Sequence, residues 1–293
     1  MQPFIVFSLL AALSFALSNL TYKFTSKHKI NNPWVLQLYS ALTLLPFLLL
    51  IPIFFPVVIP QIGWQYIFLY ALVFFIGEVF FIKAIYHLDV SSFSSLFQLQ
   101  SGLIAVLAYF FLGERFPVQN YYLILIMLVG SVLVTLDEQF KLKSFFQLAV
   151  GFILLQQIFH ALSNLFAGFG LKSMSSFAFI FWGDLTAILL TLLVIPLIIG
   201  FKNIKTSFVK IKPLFFAGFF STVGATSLFT AFQSNLTISS ALSLLTAPIA
   251  LVLSVILSFW KPSLLEHHSL KVYVYRTIGM ILILFATINI AIG

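Results

Sequence analysis

Continuous apolar runs of about twenty residues follow one another along this chain, with only short polar breaks between them. Such a run matches the ~20 residues that an α-helix needs to cross the hydrocarbon core of a bilayer. Ten can be read: residues 3–22, 33–55, 64–86, 91–112, 119–136, 146–169, 175–200, 211–233, 237–260 and 272–292. Within lipid every backbone N–H and C=O must find a partner inside the protein, and a helix pairs them within its own segment. A transmembrane strand would alternate polar and apolar residues, and these runs do not. Composition removes the soluble alternatives. Of the 293 residues 61% are hydrophobic and only 8% charged, more apolar surface than a soluble fold of this length can bury. The expected fold class is therefore an all-α integral membrane protein with ten transmembrane helices.

The charges fall in the breaks. Fifteen Lys and Arg against seven Asp and Glu give a net charge of +8. Placed between membrane runs, that excess points to the anionic lipid surface rather than to nucleic acid. The first, third, fifth, seventh and ninth connections hold 13 of the 15 basic residues, and the others only Arg115 and Lys172. By the positive-inside rule this places both termini outside. Met1-Gln2-Pro3 offers no basic leader, so the first run is expected to stay as a span. With no cysteine there is neither a disulfide framework nor a thiolate metal site, and no cofactor is expected.

The runs also repeat. Ala16-Leu17-Ser18-Asn19-Leu20 recurs as Ala161-Leu162-Ser163-Asn164-Leu165, 145 positions later, and Lys27 and Lys172 keep that offset. Leu88-Asp89-Val90-Ser91-Ser92 aligns with Leu236-Thr237-Ile238-Ser239-Ser240 at 148, and Gly130 with Gly279 at 149. The near-constant offset predicts two five-helix repeats, residues 1–138 and 139–293. Five crossings are odd, so the second repeat would lie upside down relative to the first. Inverted repeats are a frequent architecture of secondary transporters, whose substrate site lies near the midplane between the halves.

Two segments carry a resemblance. Ala108-Tyr109-Phe110-Phe111-Leu112-Gly113-Glu114-Arg115-Phe116 resembles the Leu-Gly-Glu-Arg ending of the first repeat in the EamA-type branch of the drug/metabolite transporter superfamily. Thr246-Ala247-Pro248-Ile249-Ala250 resembles that family's proline-containing ninth helix. The chain departs from the pattern where its second repeat ends in Phe259-Trp260-Lys261-Pro262, and its first helix has no Trp-Gly pair. The resemblance implies a ten-helix carrier with helices 1, 3, 4, 6, 8 and 9 around a central cavity. It also implies small metabolite substrates such as amino acids, frequent export, a bacterial or archaeal inner membrane, and cytoplasmic termini. On that last point the charge count disagrees.

Polar side chains within the runs are the candidates for that cavity. Glu78 lies near the middle of the third run and Asp184 within the seventh. A charge at the bilayer centre costs ~2.5–3.5 kcal/mol on insertion scales, so such an acid must pair, face water or carry a proton. Gln156, His160 and Asn164 recur at four-residue spacing and share one helix face. Thr222, Thr226, Thr230 and Gln233 form a similar stripe in the eighth run. Gln98 in the fourth run is too polar to face lipid. Ser243 belongs to a face of Ser239, Ala247, Ala250, Ser254 and Ser258, which equally suits close helix packing.

These features together predict a secondary transporter moving a small organic metabolite, amino-acid-like and neutral or cationic, by alternating access, with protons as a candidate coupling ion. A phosphorylated-sugar or nucleotide-sugar exchanger of the same fold is the first alternative. It would need Arg or Lys in the cavity, and the central parts of the runs have none. A polytopic membrane enzyme or scaffold is the second, and no hydrophilic catalytic loop supports it. No Gly-x-x-x-x-Gly-Lys-Ser/Thr loop is present to couple transport to ATP. Monomer and homodimer are equally compatible with the sequence.

Overall fold

Prolines and small polar residues mark where the helices start. The computed structural model describes residues 2–87, 98–115, 117–135, 148–258 and 269–292. In α1 (Pro3–His28) and α2 (Pro33–Phe54) a proline occupies the first turn, where its missing N–H has no helical partner to lose. The Asn32 side chain accepts a hydrogen bond from Trp34 N at the start of α2. Helices α3 (Trp64–His87), α4 (Gln98–Leu107), α5 (Val118–Thr135), α6 (Leu148–Gly170), α7 (Ser176–Ile199), α8 (Phe208–Phe232), α9 (Leu236–Ser243), α10 (Thr246–Ser258) and α11 (Leu270–Ile292) follow, and the described residues hold no strand. Among the described residues seven segments are long and apolar enough to cross a membrane, one of them the α9–α10 rod over Leu236–Ser254. Three shorter apolar helices, Gly102–Leu112, Val118–Gly130 and Thr277–Ala286, accompany them. The protein is an all-helical, multi-pass integral membrane protein.

Two boundaries differ from the sequence expectation. Helix α1 runs six residues past position 22, since nothing in that segment breaks a helix. The basic Lys27 and His28 end it, where positive charge suits the carbonyl end. The ninth run is broken at Leu244-Leu245. Pro248 has no N–H for the Leu244 carbonyl, and its ring crowds that carbonyl. The serine and alanine face read there is consequently split between α9 and α10. The expected repeat boundary near residue 138 lies outside the described residues.

In lipid, apolar faces gain nothing by leaving the solvent, so helices associate where small residues let backbones approach. Helix α1 follows that rule. It buries Ser8, Ala11, Ala12, Ser14, Ala16 and Ser18, and turns Val6, Phe7, Leu10 and Leu13 outward. It packs most extensively on α8, as α3 does on α6 and α5 on α11. Ser18 Oγ meets Ser221 Oγ at 2.7 Å across the α1–α8 contact. Phe15 lies over Gly224 and His160 over Gly77, so each ring fills the space of a missing Cβ on the facing helix. Phe15 and His160 stand 145 apart in sequence, Gly77 and Gly224 147 apart. Gly130 meets Gly279 itself, whose carbonyl oxygen would lie 2.7 Å from a Cβ at Gly130. Helix α2 packs on both α7 and α8.

The chain leaves α4 through a π-helical turn, Ala108–Leu112, and stops at Gly113, which has a left-handed φ of 71°. That turn presents Glu114 to the start of α9. Its carboxylate accepts from Leu236 N and Thr237 N, both at 3.2 Å, and from Thr237 Oγ1 at 2.6 Å. Asn235 caps the same helix by accepting from Ile238 N at 2.8 Å. A carboxylate at a helix N-terminus pairs free N–H groups and complements the dipole. Glu114→Ala is expected to lower stability by about 1–3 kcal/mol, read as a fall in the thermal midpoint in detergent. Glu114→Gln, which keeps one acceptor oxygen, should lose less. Equal midpoints for Ala and wild type would remove the cap from the account.

Candidate functional site

A cavity of about 260 Å³ opens at the centre of the helices. Helix α1 contributes Phe15, Asn19 and Tyr22, and α2 contributes Gln37 and Ser40. Tyr70, Phe74 and Glu78 come from α3, Gln100 from α4, and Gln156, His160 and Asn164 from α6. Helix α7 supplies Asp184 and Thr191, α8 supplies Ser221 and Phe229, and Ser240 and Ser243 come from α9. The resemblance had implied six lining helices. The structure adds α2 and α7, which pack on each other and on α8 beside the cavity.

Two carboxylates sit in this wall. Glu78 Oε1 lies 3.3 Å from His160 Nε2, with the Glu78 side chain 29% exposed. Gly77 makes that approach possible, since any side chain there would occupy the imidazole's place. Phe74 stacks on the other side of the ring, with centroids 5.1 Å apart, and fixes its plane. Asp184 is buried, and its Oδ1 accepts a hydrogen bond from the Tyr70 hydroxyl at 2.8 Å. Tyr70 is itself held edge-on by Phe179 and Phe229. Among the described residues each acid has a neutral or titratable neighbour, and none that lines the cavity is Lys or Arg. Lys83 turns away to lie over the Trp34 and Phe152 rings.

Of the residues chosen from sequence, Glu78, Gln156, His160, Asn164, Asp184 and Ser243 all line the cavity. Ser243 donates to the Ser240 carbonyl at 2.7 Å. The Gln98 side chain lies outside the described residues; Gln100, two residues further on, lines the wall. The eighth-helix stripe is a correction. None of Thr222, Thr226, Thr230 and Gln233 lines the cavity; Thr222 bonds back to the Gly218 carbonyl and Thr230 meets Ser176 Oγ. Close packing of Gly218 and Gly224 on α2 and α1 sets the rotation of α8, and turns Ser221, Ala225 and Leu228 inward instead. Sequence reading passed over Gln37. A lone amide inside the apolar run Val35-Leu36-Gln37-Leu38 was its only signal.

Residues 2–136 match the sequence profile of the EamA-like transporter family. The crystal structure of another protein shares the fold, with a TM-score of 0.69 at 13% identity over 97% of this chain and 94% of its own. No curated protein matches the sequence. The match covers 135 of the 293 residues, and over that stretch the chain is similar to membrane transporters of the drug/metabolite superfamily.

Proposed function

We propose that the protein is a secondary transporter that moves a small organic metabolite, amino-acid-like in size and neutral or cationic, by alternating access. The central cavity carries this reading. Among the described residues it gathers two carboxylates, five amides and several aromatic faces at the centre of the helices, with no Lys or Arg in its lining. That electrostatic character favours ammonium groups and argues against the phosphorylated-sugar alternative. Glu78 is the coupling or recognition carboxylate in this reading, taking either a proton or the substrate's cationic group, with His160, Asp184, Tyr70 and Tyr22 as the titratable groups of the same cavity. Export is the direction, and the inner membrane of a bacterium or archaeon the location, by likeness to the family.

Ten spans in two inverted repeats complete the proposal. The pairing of α1 with α8 and α3 with α6, and of the repeat-related Gly130 and Gly279 with each other, supports a two-fold axis in the membrane plane. Asn19 and Asn164, equivalent in the repeat, both line the cavity. The charge bias, 13 basic residues against two, puts both termini outside.

A chain without cysteine allows one labelling experiment to test access and orientation. Single cysteines replace Gln61, Lys205 and Ser243 in turn. An impermeant thiol reagent should label the Gln61 site from outside and the Lys205 site only from inside. The Ser243 site should react with a small impermeant reagent from either side. Labelling of Lys205 from outside in intact cells would reverse the orientation. Reaction of the Ser243 site from one side under all conditions would contradict alternating access.

A further inference from the structure

One amide in the cavity is not used by the protein itself. Gln37 is only 4% exposed, yet neither its Nε2 nor its Oε1 has a hydrogen-bond partner among the described residues. It lines the same wall as Glu78. Buried donors and acceptors are normally paired, and leaving both ends of one amide unpaired is costly. A ligand that offers an acceptor and a donor side by side would satisfy both atoms at once.

The rest of the wall decides which ligand that is. Asp184 is buried and accepts from the Tyr70 hydroxyl, whereas Glu78, beside His160, is partly exposed and is the carboxylate that an incoming ammonium meets. A free amino acid also carries a carboxylate, and among the described residues no Lys or Arg lines the cavity to receive it. A carboxylate accepts hydrogen bonds but donates none, so it would leave Gln37 Oε1 unpaired. A neutral carboxamide has both functions in the needed arrangement. Resting on the transporter reading above, we propose that Gln37 is a specificity-determining residue. It selects organic ammonium ions that bear a carboxamide-type group over the corresponding free amino acids.

Calorimetry on the detergent-purified full chain at slightly acid pH, with three related probes, tests this. The probes are L-phenylalanine amide, 2-phenylethylamine and L-phenylalanine, which differ only in carrying a carboxamide, nothing or a carboxylate. Wild type should bind the amide about tenfold more tightly than the amine, and at least tenfold more tightly than the amino acid. Gln37→Leu should erase the preference for the amide and keep the amine affinity within about twofold. Gln37→Asn, a smaller change in the same helix, should reduce the preference if the Leu variant does not fold. L-phenylalanine binding as tightly as its amide, equal losses for amide and amine in Gln37→Leu, or no binding of any probe to wild type would each overturn the assignment. Glu78→Gln separates this failure from that of the transporter reading. If it still weakens 2-phenylethylamine, the cavity stands as the binding site and only the role of Gln37 falls.

Discussion

Glu78→Gln should abolish pH-gradient-driven transport in reconstituted vesicles while the protein stays folded. Gln has nearly the volume of the protonated acid, so the contact with His160, 3.3 Å away in the wild type, can survive as a neutral one. What disappears is the negative charge. Removing one partner of a desolvated charge pair costs about 2–5 kcal/mol, so binding of a cationic substrate should fall at least ~30-fold. An unchanged thermal midpoint would show that the effect lies in the site. Lost transport with intact binding would make Glu78 a proton carrier only. Wild-type transport with the same pH dependence would leave it a structural residue.

Two helical glycines should respond to substitution with opposite signs. At Gly218, on α8, a Cβ would lie 2.7 Å from the Thr43 carbonyl oxygen and 3.0 Å from its carbon, both backbone atoms of α2. Backbone cannot swing aside as a side chain can. Gly218→Val must therefore push α2 from α8 and should cost about 1–3 kcal/mol or more. Because α2 carries Gln37 and Ser40 into the cavity, substrate affinity should fall with stability. At Gly151, near the start of α6, a Cβ would meet nothing within 4 Å. Gly151→Ala should raise stability by about 0.5–1 kcal/mol through restriction of the unfolded chain. Thermal midpoints in one detergent measure both. A Gly218→Val midpoint equal to that of wild type would mean that the α2–α8 contact adjusts freely.

The candidate site was partly legible in the sequence, for a reason particular to lipid. Gln156, His160 and Asn164 are bulky polar groups on one face of an apolar helix, and lipid offers them no partner. Their inward direction follows from the spacing alone. The threonines of α8 carry no such information, because a hydroxyl can bond back to its own helix, as Thr222 does to Gly218. Glu78 stood out as an acid in a run of apolar residues, but its partner His160 lies 82 positions away on another helix. No periodicity within α3 points to it. Glu114 was visible as part of a motif and invisible as a cap, since the helix that it caps begins 122 positions later.

By itself the sequence determined an all-helical membrane fold, the bounds of most described helices to within a few residues, and which polar side chains had to avoid lipid. These follow from a local requirement: each segment must satisfy its own backbone and present apolar atoms to the bilayer. Only the tertiary structure decided which polar faces meet. It set His160 on Gly77 beside Glu78, turned Ser221 rather than Thr222 inward, and left Gln37 buried without a partner among the described residues. Those outcomes depend on the rotation of each helix about its axis. Nearly every face of these helices is apolar, so hydrophobicity cannot fix that rotation, and close contacts at a few small residues do.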